Sequence, residues 1–473
     1  MKAGFRTSAQ AAVMRAVHAH PGMTRAQVAA EIGIPSGFAA ETVARLVAAG
    51  LIAERPAPAT GRPGRPTTAL GPHPEGPLVA AVAIGQDTWQ VGAVELGGTI
   101  TAKTAGAHDG DLDRVLSAVA AELERIRGRF GARVRAAAAA VPGTVVGSQL
   151  RLASGLSWHE VDLSALWPDY RPGIEFVAGN DATLAGIAES RRAPGPGPGL
   201  STGLSTGTML YLHVDDGVGG AVIEAGHAVT GATGAAGEFG HMPFGDPARR
   251  CRCGAAGCWN TSLDGPALTR LLAAQAPGNA GDTGAVSLRR VLASARDGDP
   301  GALSAVRAVC GSVGRGIAGL VNGLDPHLVV LGGLGPGLVQ LAGDEITAAY
   351  HDGLMAFRVL PPPPIALARL GVDGPLLGAA DEAFARLLTD EGLHAWAARE
   401  QTALRLPGRR VHLAVRPDQR CPEQRKARNR SVVRRPPADR PEMTIEFIDI
   451  SITRRLNSLM ISGIFRGGRI RFS

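Results

Sequence analysis

Between residues 78 and 331, apolar runs of four to eight residues alternate with stretches whose apolar positions recur every three or four residues. The runs 78–84, 91–96, 134–141, 174–177, 209–214 and 328–331 read as strands, and 112–129, 182–192, 302–324 and 376–388 read as helices. Strands alternating with helices predict an α/β fold. Upstream the pattern is helical only. Residues 9–20 form a first amphipathic helix; Thr24, with Gln27 three residues on, predicts a capping box opening a second, with Val28, Ala29 and Ile32 inward. Gly33-Ile34-Pro35-Ser36 reads as a tight turn. A third helix spans 36–49 with Ala40, Val43, Leu46 and Val47 inward, and 51–53 pairs with 67–70 as a small β wing.

Length turns this pattern into domains. The 473 residues make two or three domains of roughly 150 residues the expectation. The breaks fall at a head, 1–70, a body, 78–398, and a tail, 401–473, with 193–208 a Gly/Pro/Ser/Thr-rich surface loop. No apolar run approaches the ~18 residues of a membrane span, and no apolar export signal opens the chain, so a cytoplasmic protein is expected. The net charge of +7 suggests an anionic partner, but it is unevenly spread. Residues 1–77 hold eight Lys/Arg against four Asp/Glu, 78–400 hold 24 against 32, and 401–473 hold 17 against six. In the tail, 401–435 reads as disordered and basic, and the Ile/Phe-rich 443–473 as an extra strand pair, a DNA-adherent extension or a shifted or run-on reading frame, the last two favoured.

Two helices, a glycine turn, a third helix and a wing make a winged helix-turn-helix, and operator DNA is the expected partner. The bland alternative is a helical bundle that binds protein or dimerises. Ser36, Thr42 and Arg45 are expected to face the groove or backbone. Arg62 and Arg65, in the stiff wing sequence 61–66, suit phosphates or a minor groove. The third helix opens with Gly37-Phe38-Ala39-Ala40, which offers few hydrogen-bonding side chains. A second feature is Cys251-Arg-Cys253-Gly-Ala-Ala-Gly-Cys258, with His241 ten residues upstream. Three thiolates and one imidazole make a closed structural Zn²⁺ site. A disulfide, free core thiols or a redox pair are the competing readings. Cys310 reads as a core residue, and Cys421 lies in the tail.

Gly237-Glu238-Phe239-Gly240-His241 followed by that cysteine motif resembles the ROK family of bacterial repressors and sugar kinases. Val141-Pro142-Gly143, Leu156-Ser157-Trp158, Asn180-Asp181-Ala182, Leu324-Asp325-Pro326 and Leu331-Gly332-Gly333 match in order. The resemblance covers about 8–398 and implies a winged helix-turn-helix followed by a two-lobed, actin-like ATPase fold with a sugar between the lobes. It further implies that Asp181 is the retained general base, that Glu238 and His241 contact sugar, and that Gly143 and Asn180 line the same cleft. The family's glutamate two residues after the last cysteine is Asn260 here, so the preferred hydroxyl or substituent differs, or sugar binding is weakened.

Both phosphate loops of ROK kinases are altered. The family's Asp-x-Gly-Gly-Thr is Ala83-Ile84-Gly85-Gln86-Asp87, and its Gly-Thr-Gly-x-Gly-Gly is Asp215-Asp216-Gly217-Val218-Gly219-Gly220. Adjacent carboxylates repel a triphosphate, and a base without a phosphate donor transfers nothing. The expectation is therefore a sugar-controlled repressor, not an enzyme, acting as a homodimer or homotetramer because one helix reads too few base pairs. The alternative is an ATP-dependent sugar kinase with an appended DNA-binding head.

Overall fold

The computed structural model describes residues 8–56, 68–167, 175–192, 207–275, 286–358 and 361–397. The wing arginines Arg62 and Arg65, most of the 193–208 loop, and the whole 401–473 tail with Cys421 lie outside them.

The head contains α1 (Ala9–Ala19), α2 (Arg25–Ile32), α3 (Ser36–Ala48) and an antiparallel wing of β1 (Ile52–Pro56) and β2 (Thr68–Pro72). Ser8 caps α1, and Thr24 and Gln27 make the reciprocal capping box at α2. Gly33 stops α2 because its φ of 69° lies in the left-handed region. The inner face of α3 differs from the periodic reading. Ala39, Thr42, Val43 and Leu46 are buried, while Ala40 and Val47 are only half-buried. A bidentate pair, Arg25 Nε to Glu54 Oε1 at 2.5 Å and Nη2 to Oε2 at 2.6 Å, ties α2 to the wing.

The body repeats one topology twice. Its first sheet contains β3 (Leu78–Ile84), β4 (Thr88–Glu95), β5 (Ile100–Ala107), β6 (Val134–Val141) and β10 (Glu175–Asn180), in the order β10-β6-β3-β4-β5. Its second contains β11 (Thr208–Val214), β12 (Val218–Glu224), β13 (His227–Ala228), β14 (Leu328–Gly333) and β15 (Ile365–Leu367), in the order β13-β12-β11-β14-β15. In each sheet the first three strands meander antiparallel, and the last two join the first in parallel. A small sheet of β7 (Thr144–Val146), β8 (Gln149–Ala153) and β9 (Trp158–Asp162) extends the first lobe. The result is the expected two-lobed α/β body.

Strand β6 shows how sequence sets the layers. Its alanines 136–140 are fully buried and alternate between faces. Ala137 and Ala139 join the cluster under α4 (Leu112–Phe130), and Ala136, Ala138 and Ala140 join the cluster on the opposite face. Small side chains let helices approach both faces closely. The second lobe is completed by α6 (Gly265–Gln275), α7 (Leu288–Arg296), α8 (Pro300–Leu324) and α9 (Gly335–Gly353), around a core that includes Cys310.

Between the sheets run α5 (Asp181–Arg192) and α10 (Gly374–Leu387). They touch almost backbone to backbone: a Cβ at Gly378 would lie 1.8 Å from the Leu184 carbonyl oxygen. Both end at the head. Arg192, at the end of α5, forms a bidentate pair with Asp381 of α10, and the His18 Nε2 of α1 lies 3.0 Å from the same carboxylate. Because the His18 Nδ1 accepts a hydrogen bond from the Gly97 amide at 2.9 Å, the ring donates from Nε2. Gly97, in the β4–β5 turn with φ 84°, has no room for a side chain, since a Cβ would lie 2.7 Å from the Pro21 ring.

The helix α11 (Asp390–Ala397) completes this contact: Ser8 bonds to Asp390, and the Trp396 indole donates to the Ala49 carbonyl at 3.1 Å. Residues of α1, α3 and the wing share one apolar cluster with α5, α10 and α11.

Burial alone would raise the Asp381 carboxyl, but the hydrogen bond from His18 and the charge of Arg192 outweigh it and hold it below the usual range. A depressed folded value stabilises the fold above the ordinary Asp value, and that contribution disappears as the pH falls through the folded value. Asp381→Ala should therefore lower unfolding free energy by about 3–5 kcal/mol at neutral pH, since it strands a buried guanidinium. Urea denaturation checks this, and the gap from wild type should close only below about pH 4.

Candidate functional site

The lobes enclose a cavity of about 300 Å³. It is lined from the first lobe by Ala83, Gln86, Gly143 and Thr144, and from the second by His213, Asp215, Glu238 and Asn260, with Asp181 at its floor. The volume is at the small end for a small-molecule site. The cleft residues expected from sequence, Gly143, Asn180, Asp181, Glu238, His241 and Asn260, all line it.

Asp181 begins α5 directly after β10, and its Oδ1 accepts from the Ala182 amide at 2.8 Å. Burial pushes its carboxyl above the usual range, opposed by His213 and reinforced by Glu238. Asn180 is occupied at both ends of its amide: Oδ1 caps α5 through the Thr183 amide at 2.9 Å, and Nδ2 donates to the Gly143 carbonyl at 3.0 Å. Its geometry is that of a residue that shapes the cleft. Gly143, with φ 131°, is required by the turn itself, since a Cβ there would lie 2.2 Å from the Leu152 carbonyl oxygen. Glu238 reaches across the cleft and accepts from the Thr144 hydroxyl at 2.6 Å, while its other oxygen lies 3.9 Å from the His241 Nε2. Asn260 accepts from the Val218 amide at 2.7 Å through its carbonyl oxygen, which leaves its NH₂ as the donor group.

The altered phosphate loops have their own partners. Gln86 lies against Gly155, where a Cβ would meet its amide at 2.4 Å. Asp216 accepts from the Leu288 amide at 2.7 Å and so caps α7. Asp215 lies 3.6 Å from the Arg289 guanidinium. Burial raises both carboxyls; for Asp215, His213 and Arg289 oppose the rise, while Asp87 and Asp181 add to it. His213, Thr144 and Arg289 were not anticipated from sequence. The period-two series Tyr211, His213 on β11, continued by Asp215 just past its end, was an available signal for the first.

His241, Cys251, Cys253 and Cys258 bring one ligand atom each to within 4.8 Å of one another. The Cys251 Sγ lies 3.7 Å from the His241 Nδ1, and the Cys253 Sγ lies 3.6 Å from the Cys258 Sγ. Ligands at ~2.3 Å around one tetrahedral ion lie roughly 3.8 Å apart, so the donor set fits a metal. The four described cysteines are unpaired. Burial, then the neighbouring thiols, push Cys258 up to about 12, a cost that a cation relieves. With Nδ1 turned to the thiols, the Nε2 of His241 faces the cleft beside Glu238.

On the head, Ser36 and Arg45 are exposed on α3, and Arg45 lies 3.7 Å from Glu41. Thr42 corrects the sequence reading. It is fully buried, and its hydroxyl donates to the Phe38 carbonyl at 2.8 Å, so it faces the head's interior and cannot contact DNA. A threonine that satisfies its hydroxyl on the preceding turn serves as an apolar core residue. No described helix is long and apolar enough to cross a membrane.

Comparison with known proteins agrees with this architecture. The MarR family model matches residues 6–63, and the ROK family model matches residues 79–385. The chain is 27% identical over 317 residues to a glucokinase of Streptomyces coelicolor, covering 64% of this chain and 96% of that one. It is 28% identical over 221 residues to a kanosamine kinase of Amycolatopsis mediterranei, covering 46% and 67%. Among solved structures, a ROK family transcriptional regulator described as a homolog of the E. coli MLC protein superposes with TM-score 0.63 at 20% identity, over 82% of this chain and 98% of that one. A ROK glucokinase from Streptomyces griseus, in complex with glucose and AMPPNP, superposes with TM-score 0.55 at 26% identity, over 64% and 98%. With a MarR-type DNA-binding head joined to a body matched through both lobes, the chain belongs to the ROK family and has the architecture of its DNA-binding regulators.

Proposed function

We propose that the protein is a transcriptional repressor whose hold on operator DNA is set by a sugar or sugar derivative in the interlobe cleft. The observation that carries this reading is the path from cleft to head. Asp181 opens α5 in the cleft, and Arg192 closes it on Asp381 and the head. Pro375, at the start of α10, lines the cleft, and Asp381 lies six residues on. Helices of 12 and 14 residues span about 18 and about 21 Å. A ligand that draws Glu238 and Asp181 onto its hydroxyls competes with the Thr144–Glu238 bond between the lobes. The lobe angle changes, α5 and α10 shift as rigid bodies, and the head moves relative to its partner in a dimer. Asp181, Glu238, the outward nitrogen of His241 and the NH₂ of Asn260 are the proposed sugar contacts, while Asn180 and Gly143 shape the cleft. Arg45, Ser36 and the wing arginines Arg62 and Arg65 are the proposed DNA contacts.

The proposed metal is Zn²⁺, which suits three thiolates and an imidazole and serves as a structural cross-link. His241, Cys251, Cys253 and Cys258 would hold it, and the loop would thereby present Glu238 and the far face of His241 to the sugar.

The likeness to glucokinases favours a second reading, phosphoryl transfer. Against it, Ala83 and Gln86 replace phosphate-loop residues, Asp216 caps α7, and Asp215 faces Arg289. A coupled ADP-release assay with glucose, mannose and N-acetylglucosamine should register no turnover above background. Turnover with any of them would establish the kinase reading.

Gel-shift titration on the DNA preceding the protein's own gene, with glucose, mannose, xylose, glucosamine and their N-acetyl derivatives, should find one that changes operator affinity by about tenfold. Asp181→Asn and Glu238→Gln should abolish that response and leave DNA binding intact. A protein that binds operator but answers to no sugar would refute effector control. Metal analysis of untagged protein should return about one zinc per chain. Chelation should lower the melting temperature, and Cys253→Ser should reproduce the loss.

A further inference from the structure

The outer face of α3 carries an unusual set of groups for a helix that reads DNA. Its exposed residues include Ser36, Gly37, Phe38, Glu41 and Arg45. Base-edge recognition in the major groove uses bidentate Arg or Lys on guanine, Asn or Gln on adenine, and apolar groups on the thymine methyl. The first two types are poorly supplied here. No Asn or Gln occurs in α3, and its one arginine, Arg45, lies 3.7 Å from Glu41, a turn nearer the helix start. Thr42, the remaining polar side chain of the middle turns, is buried with its hydroxyl on the Phe38 carbonyl.

Phe38 is what the first turn presents instead. It is 44% exposed, although aromatic rings normally bury large apolar areas. It flanks the face that buries Ala39, Thr42, Val43 and Leu46 and is not among the residues buried there. The helix start is also open to close approach. Its N-cap is Pro35, which provides no side-chain cap, and a Cβ at Gly37 would meet nothing within 4 Å. In helix-turn-helix proteins the N-terminal residues of the second helix of the motif contact base edges. Uncapped first-turn amides are suited to a phosphate oxygen.

We propose that Phe38 is the principal base-reading residue of the head and recognises the 5-methyl group of a thymine in each operator half-site. This inference rests on the DNA-binding reading above and adds the chemistry by which sequence is read. The guanidinium of Arg45 and the first-turn amides position the helix, and the aromatic ring reports whether a methyl group is present. A cytosine or a guanine at that step offers the ring only polar edges, which it would desolvate without a partner.

Binding selection from randomised duplexes with the full-length protein defines the preferred site, and each thymine in it is then replaced singly by deoxyuridine, which lacks only the methyl group. The expected result is one thymine per half-site whose replacement weakens wild-type binding about fourfold, the worth of one buried methyl group. Phe38→Ala should fold normally, with an unchanged melting temperature. It should bind the selected site at least fivefold more weakly, and it should be indifferent to deoxyuridine at that position. Phe38→Leu should recover part of the discrimination, because it restores an apolar contact. The inference is overturned if Phe38→Ala selects the same thymine and keeps the same sensitivity to its methyl group, or if no thymine in the wild-type site responds to deoxyuridine. Failure of the wild-type protein to enrich any sequence would instead remove the DNA-binding reading itself.

Discussion

The arrangement of head and body depends on one buried carboxylate. Asp381 is shielded from water and held by Arg192 and His18, which come from two other helices. A lone buried carboxylate is costly, so this position is tolerable only while both partners are in place. Each partner is itself anchored: His18 accepts from the Gly97 amide, and Arg192 ends a helix whose first residue lies in the cleft. The carboxylate thus makes the seating of α1 conditional on the seating of α5 and α10. An apolar contact would glue the two parts but would tolerate sliding; a hydrogen-bonded ion pair is directional and tolerates little. Under the proposed effector control, that difference would let small displacements of α5 and α10 reach the head.

A similar economy governs the cleft. The carboxylates that depart from the kinase pattern are not idle negative charge. Asp216 satisfies the start of α7, and Asp215 is offset by Arg289 from the same helix. The turn between β11 and β12 is thereby tied to α7 by its own side chains. Meanwhile Asp181 and Glu238 retain positions from which they can accept hydroxyl protons, and Glu238 already has one such partner in Thr144. On the proposed reading, groups suited to sugar hydroxyls stay available, while Asp215 and Asp216 are engaged in internal contacts. The His241–Cys258 loop, whose donor set fits a metal, adjoins the same cleft, because His241 turns one nitrogen to the thiols and the other toward Glu238.

Much of this was legible in the sequence because it depends on local rules. The Thr24–Gln27 capping box, the glycine stop at Gly33 and the cysteine spacing are short-range patterns with one good structural solution. The strands of the sheet interiors declared themselves as continuous apolar runs, as at 78–84 and 134–141. The edge strand β5 did not, because its side chains alternate between half-buried and exposed and its composition is polar and glycine-containing. Thr42 misled because a polar side chain on a recognition helix suggests an outward role, and only its bond to the preceding turn reveals a core residue. Asp381 was invisible for a related reason. An acidic residue beside Glu382 in a helix reads as a solvated face, and its partners lie 189 and 363 positions away in sequence.

The charge distribution follows the same division of labour. The body, 78–400, carries eight more acidic than basic residues, whereas the head, 1–77, has an excess of four basic ones. Next to a polyanion the head is attracted and the body repelled, and the tail, 401–473, with 17 Lys/Arg against six Asp/Glu, supplies a further attractive charge. That distribution discourages the body from lying along a duplex. On the proposed reading, the directional bonds of Asp381 to Arg192 and His18 would carry a change in lobe angle to the head as a change in its position.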